Sequence, residues 1–371
     1  MTRRTPTDLA RPATLAIEPY AWEAANHEIA ARYGLDPAQV VRYDTNTAPL
    51  PPPCLDPVLE RARAEPWVNE YFDGSYAALA AALAEYTGYD PDHFVIGAGA
   101  DEVIDVLGKA FIDAGDLVVI PAPTYALYRI VAGTMGARVR SVPACGDLSF
   151  DVPALIEAAR DPKALFLCNP NNPTGLALAQ DEIARLVRSV DCLVILDEAY
   201  AEYTGASALS PIRDEPRLVV VRTLSKAFAL AGARIGYAVC APETAALANR
   251  MRPPNSISYI SALLGEAALR DLPAMRTAVA AIVAQRERLA AALRELGLDG
   301  TPSAANFVLA RWPSVESAAA TAEACLQRGM VLRTYGPDHP LAGYLRITAR
   351  TAEQTGAVIA RLRECKTDGL F

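Results

Sequence analysis

Five short apolar runs punctuate the middle of this 371-residue chain, and their spacing constrains its fold more than any other feature. They are Val118–Pro121, Leu165–Cys168, Leu193–Leu196, Leu218–Val221 and Gly236–Cys240, separated by segments long enough for helices. The runs are continuous rather than alternating. A strand with one wet face alternates apolar and polar residues, whereas a strand covered on both faces does not. The pattern therefore predicts an α/β protein with a mainly parallel sheet between helical layers. From Ser256 to about Leu296 a helical pattern follows, broken near Pro273. It leads to a smaller α+β C-terminal domain with strand-like segments at Asn306–Arg311, Val331–Tyr335 and Tyr344–Thr348. The expected divisions are 1–45 as an N-terminal arm joining the small domain, 46–255 as the large domain, and 256–371 as linking helix and small domain. Leu50-Pro51-Pro52-Pro53 reads as a stiff, extended connector.

Charge and cysteine usage narrow the class. Net charge is −8, from 43 acidic and 35 basic residues, and no basic block stands out. Nucleic acid and anionic membrane surfaces are not expected partners. The basic start, Met1-Thr2-Arg3-Arg4, has no apolar stretch behind it to make a signal peptide. No apolar run reaches the ~18 residues of a membrane span. Seven scattered cysteines without Cys-x-x-Cys, and three distant histidines, support neither a disulfide framework nor a metal site. A reducing, cytoplasmic setting is expected.

Chemistry gathers at the ends of the apolar runs, where α/β sheets bind ligands. Lys226 follows Leu218–Val221 within Thr223-Leu224-Ser225-Lys226-Ala227. An ammonium is costly to bury unpaired. Desolvation lowers its pKa and makes it a nucleophile and base able to condense with an aldehyde cofactor. A lysine with its head in water is the bland alternative, and the segment alone leaves both open. Asp197 ends Leu193–Leu196, and Tyr200 lies three residues on. Asn169-Pro170-Asn171-Asn172-Pro173-Thr174-Gly175 forms a rigid turn able to present an amide. Gly97-Ala98-Gly99-Ala100-Asp101-Glu102 opens a helical stretch whose free N–H groups and dipole suit a phosphate. Each has an ordinary structural explanation: a helix cap, a loop, a glycine turn. Together and in this order they supply the parts of a pyridoxal phosphate site, where a buried carboxylate keeps the pyridine nitrogen protonated.

From about Pro19 to Thr351 the chain resembles the fold-type I, pyridoxal-phosphate-dependent aminotransferases of classes I and II. The segment around Lys226, with Gly232, Arg234 and Gly236-Tyr237, carries the resemblance. Among subfamilies it is most similar to histidinol-phosphate aminotransferase. The resemblance implies that Lys226 binds the cofactor covalently and moves the proton, and that Asp197 pairs with the pyridine nitrogen. It implies that Asn172 and Tyr200 bond the ring's 3′-oxygen and that Tyr125 stacks on the ring. Gly99, Ala100, Asp101, Ser225 and Arg234 would cradle the phosphate. Tyr71 would reach the cofactor of a second subunit, implying a homodimer with shared active sites. Arg346 would clamp a substrate carboxylate. Asn46, Tyr20 and Arg333 would complete the substrate site, the last two on a substrate phosphate. Arg333 and Arg346 each interrupt an apolar segment, an expensive place for a charge without an anion to meet it.

Departures fall at the substrate mouth. Pro19-Tyr20 is followed by Ala21-Trp22-Glu23 rather than the family's Pro-Gly-Lys, and Ala349-Arg350-Thr351 replaces a small-residue pair. The reaction implied is ping-pong transfer of an amino group from L-histidinol phosphate to 2-oxoglutarate. The alternatives are an aromatic amino acid aminotransferase, favoured by Trp22, and a lyase such as a threonine-phosphate decarboxylase. A cofactor-sensing regulator would need a DNA-binding extension, for which the chain has neither length nor basic charge.

Overall fold

The computed structural model describes residues 3–17, 24–65, 69–71, 73–209, 212 and 214–371. Its strands, in chain order, are β1 (Val41–Arg42), β2 (Phe94–Gly97), β3 (Leu117–Ala122), β4 (Arg138–Pro143), β5 (Ala164–Cys168), β6 (Leu193–Asp197), β7 (Leu218–Thr223), β8 (Gly236–Val239), β9 (Asp299–Gly300), β10 (Phe307–Arg311), β11 (Met330–Val331) and β12 (Tyr344–Thr348). Seven of them form one sheet in the order β2-β8-β7-β6-β5-β3-β4. The pairs from β4 through β3, β5 and β6 to β7 are parallel, and β8 is antiparallel to both β7 and β2.

The continuous apolar runs have a direct structural cause. Successive side chains of a strand point to opposite faces, and both faces here are dry. Leu165, Leu167, Val194, Leu196, Leu218 and Val220 enter one core, packed under the helices Ala77–Thr87, Gln180–Ser189 and Tyr259–Arg270. Phe166, Cys168, Ile195, Val219 and Val221 enter the other, under Gly99–Phe111, Leu127–Met135 and Pro242–Asn249. Each of these strand residues is essentially solvent-free. β4 escaped sequence reading because it is an edge strand. Arg138, Arg140 and Ser141 break the apolar pattern and stay exposed.

A second, antiparallel sheet, β12-β10-β9, packs against the helices Leu272–Glu295, Val315–Leu326 and Ala352–Thr367. The expected strand at Val331–Tyr335 is shorter: β11 ends at Val331, and Arg333 forms an isolated antiparallel bridge to Arg346. The break in the long helical pattern falls at Asp271, whose carboxylate caps the Ala274 N–H at 3.2 Å. Pro273 then sits in the first turn, where its missing N–H costs nothing. The N-terminal segment returns to this region, since β1 pairs in parallel with β11 and Tyr43 is buried in the same core. Among the described residues no helix is long and apolar enough to cross a membrane.

Candidate active site

β6 and β7 lie side by side, with Asp197 in register with Val221. The carboxyl ends of both strands open into one cleft of about 460 Å³. Two hydrogen bonds fix the turn after β7. The Thr223 hydroxyl donates to Ile235 O at 3.0 Å, and the Ser225 N–H donates to Thr223 Oγ1 at 3.1 Å. That turn delivers Ser225 and Lys226 to the cleft. Lys226 is half-buried, and its Nζ donates to Thr45 O at 3.3 Å. Burial first, and then the positive charge of Arg346, lower its pKa to about 8. The amine is therefore neutral at a pH where an exposed lysine is not.

Asp197 is 3% exposed. Its two oxygens accept from Tyr128 Oη at 2.7 Å and from the Ala199 N–H at 2.9 Å. Burial raises its pKa to about 6, against the lowering effect of those two donors. Tyr200 lines the wall beside it, its hydroxyl accepting from Asn46 Nδ2 at 3.0 Å. Asn46 holds a left-handed φ of 54°. Such strain in a non-glycine residue persists only where its surroundings over-determine it. Here Asn306 Nδ2 donates to Asn46 O at 2.9 Å, and the Asn46 N–H donates to Thr348 Oγ1 at 3.2 Å.

The glycine-rich turn after β2 enters the helix Gly99–Phe111 and brings Ala100 and Asp101 to the cleft. Gly99 lies beneath, at φ 84°, and a side chain there would collide with the Arg234 guanidinium. Arg234 lines the cleft but is half exposed, and its Nη2 meets Asp101 Oδ2 at 3.1 Å. This ion pair is solvent-exposed on both sides. Tyr125 Oη donates to the other Asp101 oxygen at 3.1 Å. Both Asp101 oxygens thus accept hydrogen bonds from residues of the cleft.

Arg346 reaches the cleft from β12. It donates to Asn172 Oδ1 at 2.5 Å and to Asp44 O, and its guanidinium lies 5.1 Å from the Phe307 ring centroid. Its Nε is buried without a partner, as is the hydroxyl of Tyr335 nearby. Arg333 lines the same wall, bound to Arg346 through both backbone N–H groups at 3.1 and 3.0 Å. Tyr71 is not at the cleft of its own chain and is 92% exposed. Tyr20, with Trp22 and Glu23, lies outside the described residues.

Sequence reading missed Tyr128, Asp44, Thr45, Phe307, Tyr335 and His339. Tyr128 carried only a weak signal, a second tyrosine three residues past Tyr125, because Tyr125 precedes the helix Leu127–Met135 and the two do not share a helix face. The carbonyls of Asp44 and Thr45 had none, because a backbone acceptor is common to every residue type.

The fold and the cleft together define a pyridoxal-phosphate-dependent transaminase, and the chain belongs to the family described as aminotransferase class I and II, whose profile matches residues 40–362. It is 37% identical over 366 residues to histidinol-phosphate aminotransferase of Roseiflexus castenholzii, covering 96% of this chain and 98% of that one. It is 36% identical to the protein of the same name from Symbiobacterium thermophilum, covering 97% and 99%. The structure superposes on histidinol-phosphate aminotransferase from Sinorhizobium meliloti, solved in complex with pyridoxal-5′-phosphate. The TM-score is 0.86 at 27% identity, with 95% and 96% of the two chains covered. The cleft fits that cofactor chemically: a neutralisable amine, a buried carboxylate with two donors, and a glycine-floored turn beside an arginine.

Proposed function

We propose that this transaminase moves an amino group between L-histidinol phosphate and 2-oxoglutarate in a ping-pong cycle. The observation that carries the reading is the Arg333–Arg346 bridge on one wall of the cleft that holds Lys226 and Asp197. Two arginines paired through their backbones and lining one cleft suit two separate anions, and the relatives named for histidinol phosphate support a phosphate as one of them.

Bound pyridoxal phosphate supplies an aldehyde carbon and a protonated ring that accepts electrons. Lys226 would hold the aldehyde, and its Nζ would move the proton taken from the substrate's α-carbon. The lowered pKa makes that exchange feasible near neutrality. Asp197 would hold the ring-nitrogen proton, Tyr125 would cover the ring, and Asn172 and Tyr200 would bind its 3′-oxygen. Gly99, Ala100, Asp101, Ser225 and Arg234 would receive the cofactor phosphate. Arg346 would take the oxo acid's carboxylate, with Asn46 shaping the pocket, and Arg333 with Tyr20 the substrate phosphate. Tyr71, reaching outward from its own subunit, supports a homodimer in which it serves the neighbouring site. The reading also holds the division at residues 1–45, 46–255 and 256–371, and a cytoplasmic enzyme of histidine biosynthesis.

The test compares kcat/KM for L-histidinol phosphate and L-phenylalanine in wild type and Arg333→Ala. A charge-assisted hydrogen bond is worth ~1.5–3 kcal/mol, so the phosphorylated donor should lose about 10- to 150-fold more than phenylalanine. Equal losses would reject the phosphate role and favour the aromatic substrate.

A further inference from the structure

Tyr128 is a buried, titratable side chain that no step above uses. It sits in the first turn of Leu127–Met135 and is fully buried. Its ring stacks on Phe166 at 5.4 Å and 13°, and meets Tyr125 edge-on at 5.7 Å and 86°. Phe166 comes from β5, the neighbour of the strand that carries Asp197. The two ring contacts aim the hydroxyl at Asp197 Oδ2, 2.7 Å away, while the Ala199 N–H covers Oδ1.

We propose that Tyr128 is a positioning residue that keeps Asp197 ionised, so that the proton shared between Asp197 and the cofactor's ring nitrogen rests on the nitrogen. This rests on the reading above that Asp197 meets that nitrogen. The physical need is plain. Burial favours a neutral carboxyl, and the Asp101 carboxylate across the cleft adds to that effect. A neutral Asp197 would hold the shared proton itself and leave the ring unprotonated, a poorer electron acceptor. Working the other way are the Tyr128 hydroxyl, the Ala199 N–H and the charge of Lys226. Of these only Tyr128 is a side chain in direct contact. It cannot become an acceptor by ionising, because burial and Asp197 hold its phenol well above the usual range.

The experiment loads holoenzyme with cofactor labelled with nitrogen-15 in the ring and records its nitrogen resonance. Wild type, Tyr128→Phe, Tyr128→Leu and Asp197→Asn are compared, with circular dichroism as the control for folding. Tyr128→Phe keeps the ring contacts and removes only the hydroxyl. Wild type should show a protonated nitrogen and Asp197→Asn an unprotonated one. Both Tyr128 variants should move toward the unprotonated position and lose about tenfold in kcat, the worth of one hydrogen bond to a charged group. A purely structural role would lower stability and leave the nitrogen resonance in place, which would overturn the proposal. If Asp197→Asn itself gave the wild-type resonance, the Asp197 assignment would fail instead, so the two failures are distinct.

Discussion

Replacing Arg346 by alanine separates the two halves of the proposed cycle. In the half that consumes 2-oxoglutarate, a carboxylate would face the guanidinium fork. Two charge-assisted hydrogen bonds at ~1.5–3 kcal/mol each set an upper range of ~3–6 kcal/mol. The net loss should lie at the low end. Arg346 already donates to Asn172 Oδ1 and Asp44 O, so an arriving carboxylate competes with contacts in place. Those two oxygens border the open cleft, where water can replace the lost donor. We expect about 3 kcal/mol, roughly a 150-fold fall in kcat/KM for 2-oxoglutarate. The other half, with L-histidinol phosphate, involves no α-carboxylate and should fall far less. One indirect effect must be separated. The charge of Arg346 helps to lower the Lys226 pKa, so its loss will push that pKa up from about 8 and slow both halves at neutral pH. Stopped-flow measurement of each half-reaction across a pH series, read on the high-pH plateau, removes that common shift. Equal plateau losses in both halves, or a loss below about tenfold with 2-oxoglutarate, would refute a carboxylate role for Arg346.

Asp197→Asn should keep the fold and lose more than about tenfold in kcat, since an amide cannot hold the ring proton; single-turnover rates check it, and a smaller loss would assign that proton to another group. In apo-protein, Lys226 should leave a signature in stability against pH. Its folded pKa, about 8, lies below its ordinary 10.5, so the unfolded chain binds more protons between those values. The penalty is full below about 8 and is relieved as pH rises toward 10.5, so wild type should gain stability relative to Lys226→Met across that window in urea titrations; parallel curves would contradict it. Arg222→Met should destabilise by ~3–5 kcal/mol in the same assay. It strands Glu198, only 2% exposed, whose Oε2 now accepts from Arg222 Nη2 at 2.8 Å and Nε at 3.0 Å. A loss under about 1 kcal/mol would mean that the pair behaves like a surface one.

Five of the seven strands of the large sheet were legible in the chain alone, because burying both faces forces continuous apolar runs; the four-residue strand β2 at one edge was too short to stand out. The sequence also determined the residues at the ends of those runs. Lys226, Asp197 and Asn172 are each a polar group placed where an apolar pattern stops, and that is legible without coordinates. Arg333 and Arg346 were legible for the same reason, as charges inside apolar segments. Edge strand β4 was not, since one open edge lets arginines interrupt the pattern. Tertiary structure alone decided what holds these groups. The carbonyls of Asp44 and Thr45 meet Arg346 and Lys226 across separations of 302 and 181 residues. Burial, which a linear chain does not display, lowers the Lys226 pKa and raises that of Asp197. Tyr128 meets Asp197 only because β5 and β6 pair in register and place Phe166 beneath its ring. Local pattern records what each residue is, whereas the partner of a buried polar group is fixed by packing between distant segments.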